Sequence, residues 1–359
     1  MRSREPAAVV DTARVIHRRD LSSEPHLALG AIFGAYAVVL LWFTMTQPFE
    51  GRAYLAVTDI LGIVPPFIAG VLAIAAGQNS AHHTRAGWRL LGLGCLAWGA
   101  GDTVWAVYEV VLQRNPFPSP ADVGYLAMLP LVAAGLIFIT AERRRLARAR
   151  PTLDGLALVL SATALVWLFV LHPTYADSSV SVLEKAIGAA YPVGDMVVVY
   201  ALVVAVQRRW GRRDGAVLST LLGGMLLLVA ADLYFAYLTL NDKYSATSIV
   251  NVGWPYGFLL IGYAGALGAT WPLAYDEEEN AAAPREWRLP LALFVLVVGL
   301  AVAAARQDSL AISAPLYAMV ALAALAIVAR LAINLGVARE VEQRREKLIN
   351  WFVEHRRAA

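Results

Sequence analysis

The stretch LLGLGCLAWGAGDTVWAVYEVVL, residues 90–112, and its counterpart LLGGMLLLVAADLYFAYLTL, residues 221–240, set the architecture of this chain. Each is an apolar run long enough to cross about 30 Å of hydrocarbon as a helix. Each also carries one aspartate near its middle, Asp102 and Asp232, 130 positions apart. A charged carboxylate facing lipid costs about 2.5–3.5 kcal/mol on insertion scales. Two such acids in matching surroundings therefore imply a polar interior shared by the helices of a membrane bundle.

The rest of the chain fits that frame. Its 359 residues are 59% hydrophobic and 16% charged, with a mean hydropathy of +0.58, a balance that excludes an ordinary soluble domain. Ten apolar runs are expected to span, at about 27–47, 57–77, 88–112, 122–141, 153–172, 186–206, 216–240, 249–271, 288–306 and 313–334. The runs are continuous and do not alternate, which rules against a β-barrel. Segment 1–26 reads as a basic N-terminal segment, 27–334 as the membrane domain and 335–359 as a juxtamembrane helix.

Positive charge falls in every second loop. Arg2, Arg4, Arg14, Arg18 and Arg19 precede the first run, Arg85 and Arg89 follow the second, Arg143 to Arg150 the fourth, and Arg208 to Arg213 the sixth. The intervening loops hold little beyond Arg52, Arg114, Lys185 and Lys243. By the positive-inside rule both termini are cytoplasmic and the span number is even. The net charge of +3 is thus a topology signal and does not call for nucleic acid. Cys95 is the sole cysteine, so neither a disulfide nor a thiolate metal site is expected. The adjacent His82 and His83 do not share a helix face and read as loop, not as a metal pair.

An internal repeat extends outward from the two aspartates. At an offset of 130, Leu91, Gly94, Leu96, Ala100, Asp102 and Ala106 fall on Leu221, Gly224, Leu226, Ala230, Asp232 and Ala236, and Trp105 falls on Phe235. At an offset of 129, Ser119, Asp122, Val123, Gly124 and Tyr125 meet Ser248, Asn251, Val252, Gly253 and Trp254. Gly62 and Pro66 match Gly188 and Pro192 more weakly. The expected fold is all-α and integral to the membrane, about ten helices built from two parallel four-helix repeats, about 57–172 and 186–306, with one flanking helix at each end. Parallel repeats place the symmetry axis along the membrane normal, unlike the inverted repeats of many secondary transporters.

The candidate site follows from helical spacing. Trp98, Asp102, Trp105 and Glu109 stand at i, i+4, i+7 and i+11, one face carrying two carboxyls and two indoles. The corresponding face in the second copy is Leu228, Asp232, Phe235 and Thr239. With Asp122, Tyr125, Asp195, Asn251, Trp254 and Tyr256, these side chains are expected to converge on a ligand cavity open to the outside. The bland alternative makes the acids and amides helix-to-helix glue and the aromatics interfacial anchors. Asp154, in PTLDGLAL, reads as a helix N-terminal charge or cap. No phosphate-binding loop, nucleophile elbow or zinc-protease pattern occurs. No enzymatic activity, resident metal or cofactor is expected.

The motifs AWGAGDTVW at 97–105, PSPADVGYL at 118–126, LDGL at 153–156, AYPVGD at 190–195, AADLY at 230–234 and NVGWPYG at 251–257 resemble the multi-span membrane input regions that precede GGDEF and EAL domains in bacterial cyclic-di-GMP signalling proteins. That resemblance implies a sensor in the bacterial inner membrane, binding an external small molecule or cation. The chain departs from the pattern at Asn251, where an acid is common, and it contains no GGDEF or EAL sequence. The cyclase and phosphodiesterase activities are therefore not implied. Residues 335–359, with Glu340 and Arg344 at i,i+4 and a seam of Val337, Val341, Leu348 and Trp351, resemble a signalling helix. Such a helix would form a homodimer contact, meet a separate cytoplasmic signalling protein, or lie on anionic membrane lipid. A transporter or proton-coupled permease using Asp102, Asp195 and Asp232 is the runner-up function, and a structural membrane subunit the third.

Overall fold

The computed structural model describes residues 24–80, 82–140, 145–168, 181–209, 215–271, 295, 298 and 310–357. Every regular element among them is helical: α1 (Glu24–Thr46), α2 (Gly51–Gln78), α3 (His82–Ala106), α4 (Ala121–Ile139), α5 (Arg145–Val166), α6 (Val182–Arg209), α7 (Gly215–Leu240), α8 (Gly253–Thr270) and α9 (Leu310–Arg357). Seven are long and apolar enough to cross a membrane: α1, α2, α3 with its extension to Val111, α4, α6, α7 and the Leu316–Ile333 part of α9. The protein is a multi-pass helical membrane protein.

The remaining expected spans divide into three cases. α8 occupies the expected 249–271 run with 18 residues, is rich in Gly with Trp254, Pro255 and Tyr256 in its first turn, and is not among the seven. The 153–172 run is helical through Val166, of which Thr152–Val166 is apolar. Of the expected span 288–306 only Val295 and Val298 are among the described residues, and the segment 1–23 lies outside them.

The chain forms two units. In the first, six helices make a closed ring in the order α2, α3, α4, α6, α7, α8 and back to α2. α1 lies outside it against α8, where Tyr256 Oη donates to the Ala37 carbonyl at 2.5 Å and Tyr36 Oη reaches the Leu61 carbonyl of α2 at 2.7 Å. Helices joined by short loops run antiparallel around the ring. The two closing contacts are parallel. Ala69 and Ala73 of α2 face Gly262 and Gly265 of α8 in rising register, and Asp122 and Leu129 of α4 likewise face Tyr191 and Gly194 of α6. The ring thus contains the first three helices of each expected repeat, whereas the fourth helix of the first repeat, α5, belongs to the other unit.

Lipid offers no hydrophobic drive for helix association, so close backbone approach through small residues carries the packing. On α3, Gly87 and Gly94 face α4: a Cβ on Gly87 would stand 2.7 Å from the Gly135 carbonyl oxygen, and one on Gly94 3.0 Å from Val132 Cγ2. The α7–α8 contact repeats the device, because a Cβ on Gly224 would stand 2.7 Å from the Gly257 carbonyl oxygen. The ring is filled by Trp88, Leu91 and Cys95 of α3, Leu136 and Ile139 of α4, Leu221 and Met225 of α7, and Phe258 and Ile261 of α8, all of them buried.

The second unit pairs α5 with α9. Ala164 and Leu316 are its buried contacts. Asp154 departs from its expected role as a helix N-terminal charge: α5 starts at Arg145, so Asp154 lies nearly three turns inside the helix. There it is 6% exposed and accepts from Arg330 Nε of α9 at 3.0 Å. Their meeting offsets the cost of desolvating both charges.

Candidate functional site

All the acids of the ring lie in the half nearest the loops 47–50, 112–120 and 241–252. Asp122 is in the first turn of α4. Glu109 sits in a five-residue π turn, Val107–Val111, that continues α3, closed by Leu112 N to the Val107 carbonyl at 3.0 Å. Such widened turns are frequent at functional sites. Asp59, Asp102 and Asp232 lie about 12–15 Å along their helices from that end, and Asp195 about 20 Å, at 1.5 Å rise per residue.

Two hydrogen bonds of the same kind anchor the central aspartates. Tyr125 Oη of α4 donates to Asp102 Oδ1 at 3.0 Å, and Trp254 Nε1 of α8 donates to Asp232 Oδ1 at 2.7 Å. Trp98, one turn before Asp102, is an electrostatic neighbour of its carboxyl and packs on Tyr125 with ring centroids 4.7 Å apart. Phe235 meets Trp254 edge-on at 5.7 Å. The aromatic partner sits at the matching position of the following helix in each case.

The other acids join in pairs or caps. Asp122, 7% exposed, accepts from Ser119 N at 2.6 Å and from Tyr191 Oη of α6. Asp195 of α6, 2% exposed, lies carboxyl to carboxyl against Asp232. Asp59 of α2 stands in the same relation to Glu109, which also accepts from Trp105 Nε1 at 3.2 Å. Ionised carboxylates are acceptors only, so each contacting pair has to hold a proton or a cation between its oxygens. None of the six acids makes an ion pair among the described residues.

A void of about 10 Å³ lies among Trp98, Asp195, Asp232 and apolar side chains of α4, α6 and α7. It has room for about one water. Asp102 does not line it, so Asp102 and Asp232 sit at separate stations. Asn251 turns toward the loop instead: its Nδ2 donates to the Ala246 carbonyl at 2.7 Å, and its Oδ1 accepts from Tyr244 Oη at 3.2 Å. Tyr244 packs edge-on against Phe235 at 4.7 Å. Although the residue is 40% exposed, desolvation, reinforced by the charge of nearby Glu109, pushes the phenol up to about 12.

Sequence reasoning passed over Asp59, Tyr191 and Tyr244. Asp59, within AYLAVTDILGIV, gives the same signal as Asp102, an acid inside an apolar run, but it has no counterpart in the repeat. Tyr191 stands one helical turn before Asp195, and that spacing was the available clue.

No family model, curated protein or solved structure matches this chain. Fold and site together define a multi-pass helical membrane protein whose ring of six helices carries buried carboxyls.

Proposed function

We propose that the protein is a receptor module of the bacterial inner membrane, with both termini cytoplasmic and the acid-bearing half of the ring toward the outside. Its ligand is a proton or small cation received by the carboxyl pairs, and its output leaves through α9. The observation that carries this reading is the continuity of α9, a single helix of 48 residues from Leu310 to Arg357. Its Leu316–Ile333 portion suffices to cross the bilayer. The following residues to Arg357 extend about 36 Å further at 1.5 Å per residue. Arg339, Arg344, Arg345, Lys347, Arg356 and Arg357 favour the cytoplasmic side for that extension. A rigid rod leaving the membrane suits signal output better than solute passage.

The duplication belongs to the same proposal. The ring order α2-α3-α4 followed by α6-α7-α8, with an Asp–aromatic bond at the matching place in each half, supports two parallel repeats around an axis along the membrane normal. The likeness to GGDEF- and EAL-associated input regions agrees with a sensor whose catalytic partner is another domain or chain. Void size disfavours a metabolite as ligand, since drug-sized molecules fill about 300–1,000 Å³.

A receptor needs a ligand with different affinity for two arrangements of its output element, and no net solute movement. The test is a spin label at Trp351→Cys in nanodiscs, measured at pH 5 and pH 8 and with and without divalent cation. The label's mobility should change, and Asp232→Asn should abolish the change. A permease predicts instead proton-driven uptake in proteoliposomes that Asp232→Asn removes, and that result would replace the receptor reading.

A further inference from the structure

Asp195 is an acid that the fold leaves without a donor. It is 2% exposed, yet no N–H or O–H among the described residues donates to its carboxyl, which lies against the Asp232 carboxyl. Tyr191, one turn earlier on α6, gives its hydroxyl to Asp122 instead. Asp232 takes one hydrogen bond, from Trp254 Nε1 at 2.7 Å. The void of about 10 Å³ is lined by both acids, and the rest of its wall is the Trp98 indole and apolar side chains of α4, α6 and α7.

That wall decides what the pair can hold. Two ionised carboxylates in contact repel, and each offers the other only lone pairs. Mg2+ demands near-octahedral oxygen coordination and Ca2+ about six to eight oxygens, whereas the void supplies two carboxyls and room for about one water. No basic side chain faces the pair among the described residues. α4 presents Met128, Leu129 and Val132, α3 the Trp98 indole and α8 the Trp254 indole. The nearest other titratable group is the Tyr191 phenol of α6, held on Asp122. A proton needs no more than two acceptors. We infer that Asp195 and Asp232 form a proton site, in which one proton is shared between the two carboxyls and one water in the void supplies the donor that Asp195 lacks.

The site names the ligand of this pair as a proton and not a metal ion. It rests on the receptor reading for its purpose but not for its existence, because the readout is the carboxyl itself. The test is infrared spectroscopy of the full chain in nanodiscs of zwitterionic lipid, with the aspartate side-chain carboxyls labelled with carbon-13. A carbonyl stretch from protonated aspartate is expected at pH 7. Asp195→Asn and Asp232→Asn should each remove the same component of it, since the introduced amide can donate to the remaining carboxylate. One shared proton makes these losses non-additive: the double variant should lose no more than either single one, whereas two separate protonated acids would lose twice as much.

Adding Na+, Mg2+ or Ca2+ at constant pH should leave the band in place. A stretch from one strongly bonded water, identified by its shift in oxygen-18 water, should accompany it. A band that behaves in this way beside an unresponsive α9 label keeps the site and removes the receptor. A parent chain with no protonated-aspartate band, or with no such water, overturns the proposal without recourse to any variant. So do additive losses, or a band that a metal ion abolishes.

Discussion

Helix α7 carries two adjacent glycines in opposite surroundings, and the pair isolates what close packing contributes to the ring. A Cβ on Gly223 would meet nothing within 4 Å, whereas one on Gly224 would stand 2.7 Å from the Gly257 carbonyl oxygen and 2.9 Å from Ile261 Cγ1. Replacing a helical glycine by alanine gains up to about 1 kcal/mol from backbone entropy, so Gly223→Ala should stabilise by about that much. At Gly224 the same gain is opposed by overpacking, which costs about 1–3 kcal/mol. Ordinary Cβ contacts begin near 3.4 Å, and the atom in the way is backbone, which cannot rotate aside. The two variants should therefore differ by about 1–3 kcal/mol, with Gly224→Ala the less stable. Unfolding in mixed micelles by increasing sodium dodecyl sulfate, followed by tryptophan fluorescence, measures both. Equal shifts in the same direction would refute the packing argument and with it the register that sets Trp254 against Asp232.

The remaining predictions concern the site and the second unit. Trp254→Phe and Tyr125→Phe each delete one donor to a buried aspartate, and each should cost about 1–3 kcal/mol in the same unfolding assay; no loss in either would detach the aromatics from the acids. Arg330→Met should destabilise the protein by leaving Asp154 charged against α9, and adding Asp154→Asn should recover most of that loss, the sign expected when a buried charge loses its partner. Tyr244 should titrate late. Its folded value, about 12, lies above the ordinary 10.0, so its contribution to stability is intact below pH 10 and is lost as pH rises toward 12. The ultraviolet difference between parent and Tyr244→Phe should show no phenolate from this residue at pH 10.5, and an ordinary titration there would contradict the influence of Glu109 on it.

The sequence made the helices and the two central aspartates legible for the same reason: both depend on local spacing. Apolar runs of membrane length predict α1 to α4, α6 and α7, and the 130-residue offset predicts that Asp102 and Asp232 occupy matching helix positions. An offset of 129 pairs Tyr125 with Trp254, and these two side chains make the matching hydrogen bonds. Its limit appears where ring closure decides the neighbours. Asp232 meets Asp195 because α6 packs on α7, and Tyr191 reaches Asp122 because α4 runs parallel to α6, contacts that no periodicity encodes.

Ring closure also explains why so many carboxyls are tolerated. An open sheet of helices would turn Asp59 and Asp195 toward lipid, where each ionised carboxylate carries a penalty of kcal/mol size. In the ring, α2 brings Asp59 to Glu109 of α3, and α6 brings Asp195 to Asp232 of α7, so each acid has a polar partner from another helix. Two contacting pairs hold positive charge more readily than four isolated acids, because one proton or cation relieves two groups at once. The same proximity couples occupancy to helix spacing: adding or removing that positive charge switches each pair between attraction and repulsion. The helices that would feel the change are α2 against α3 and α6 against α7, neighbours around a closed ring. Simultaneous Asp59→Asn and Asp195→Asn would replace both charge-sensitive contacts by neutral ones. The double variant should fold and should lose any dependence of the α9 label on pH or divalent cation; a dependence that persists would place the sensing groups outside the ring.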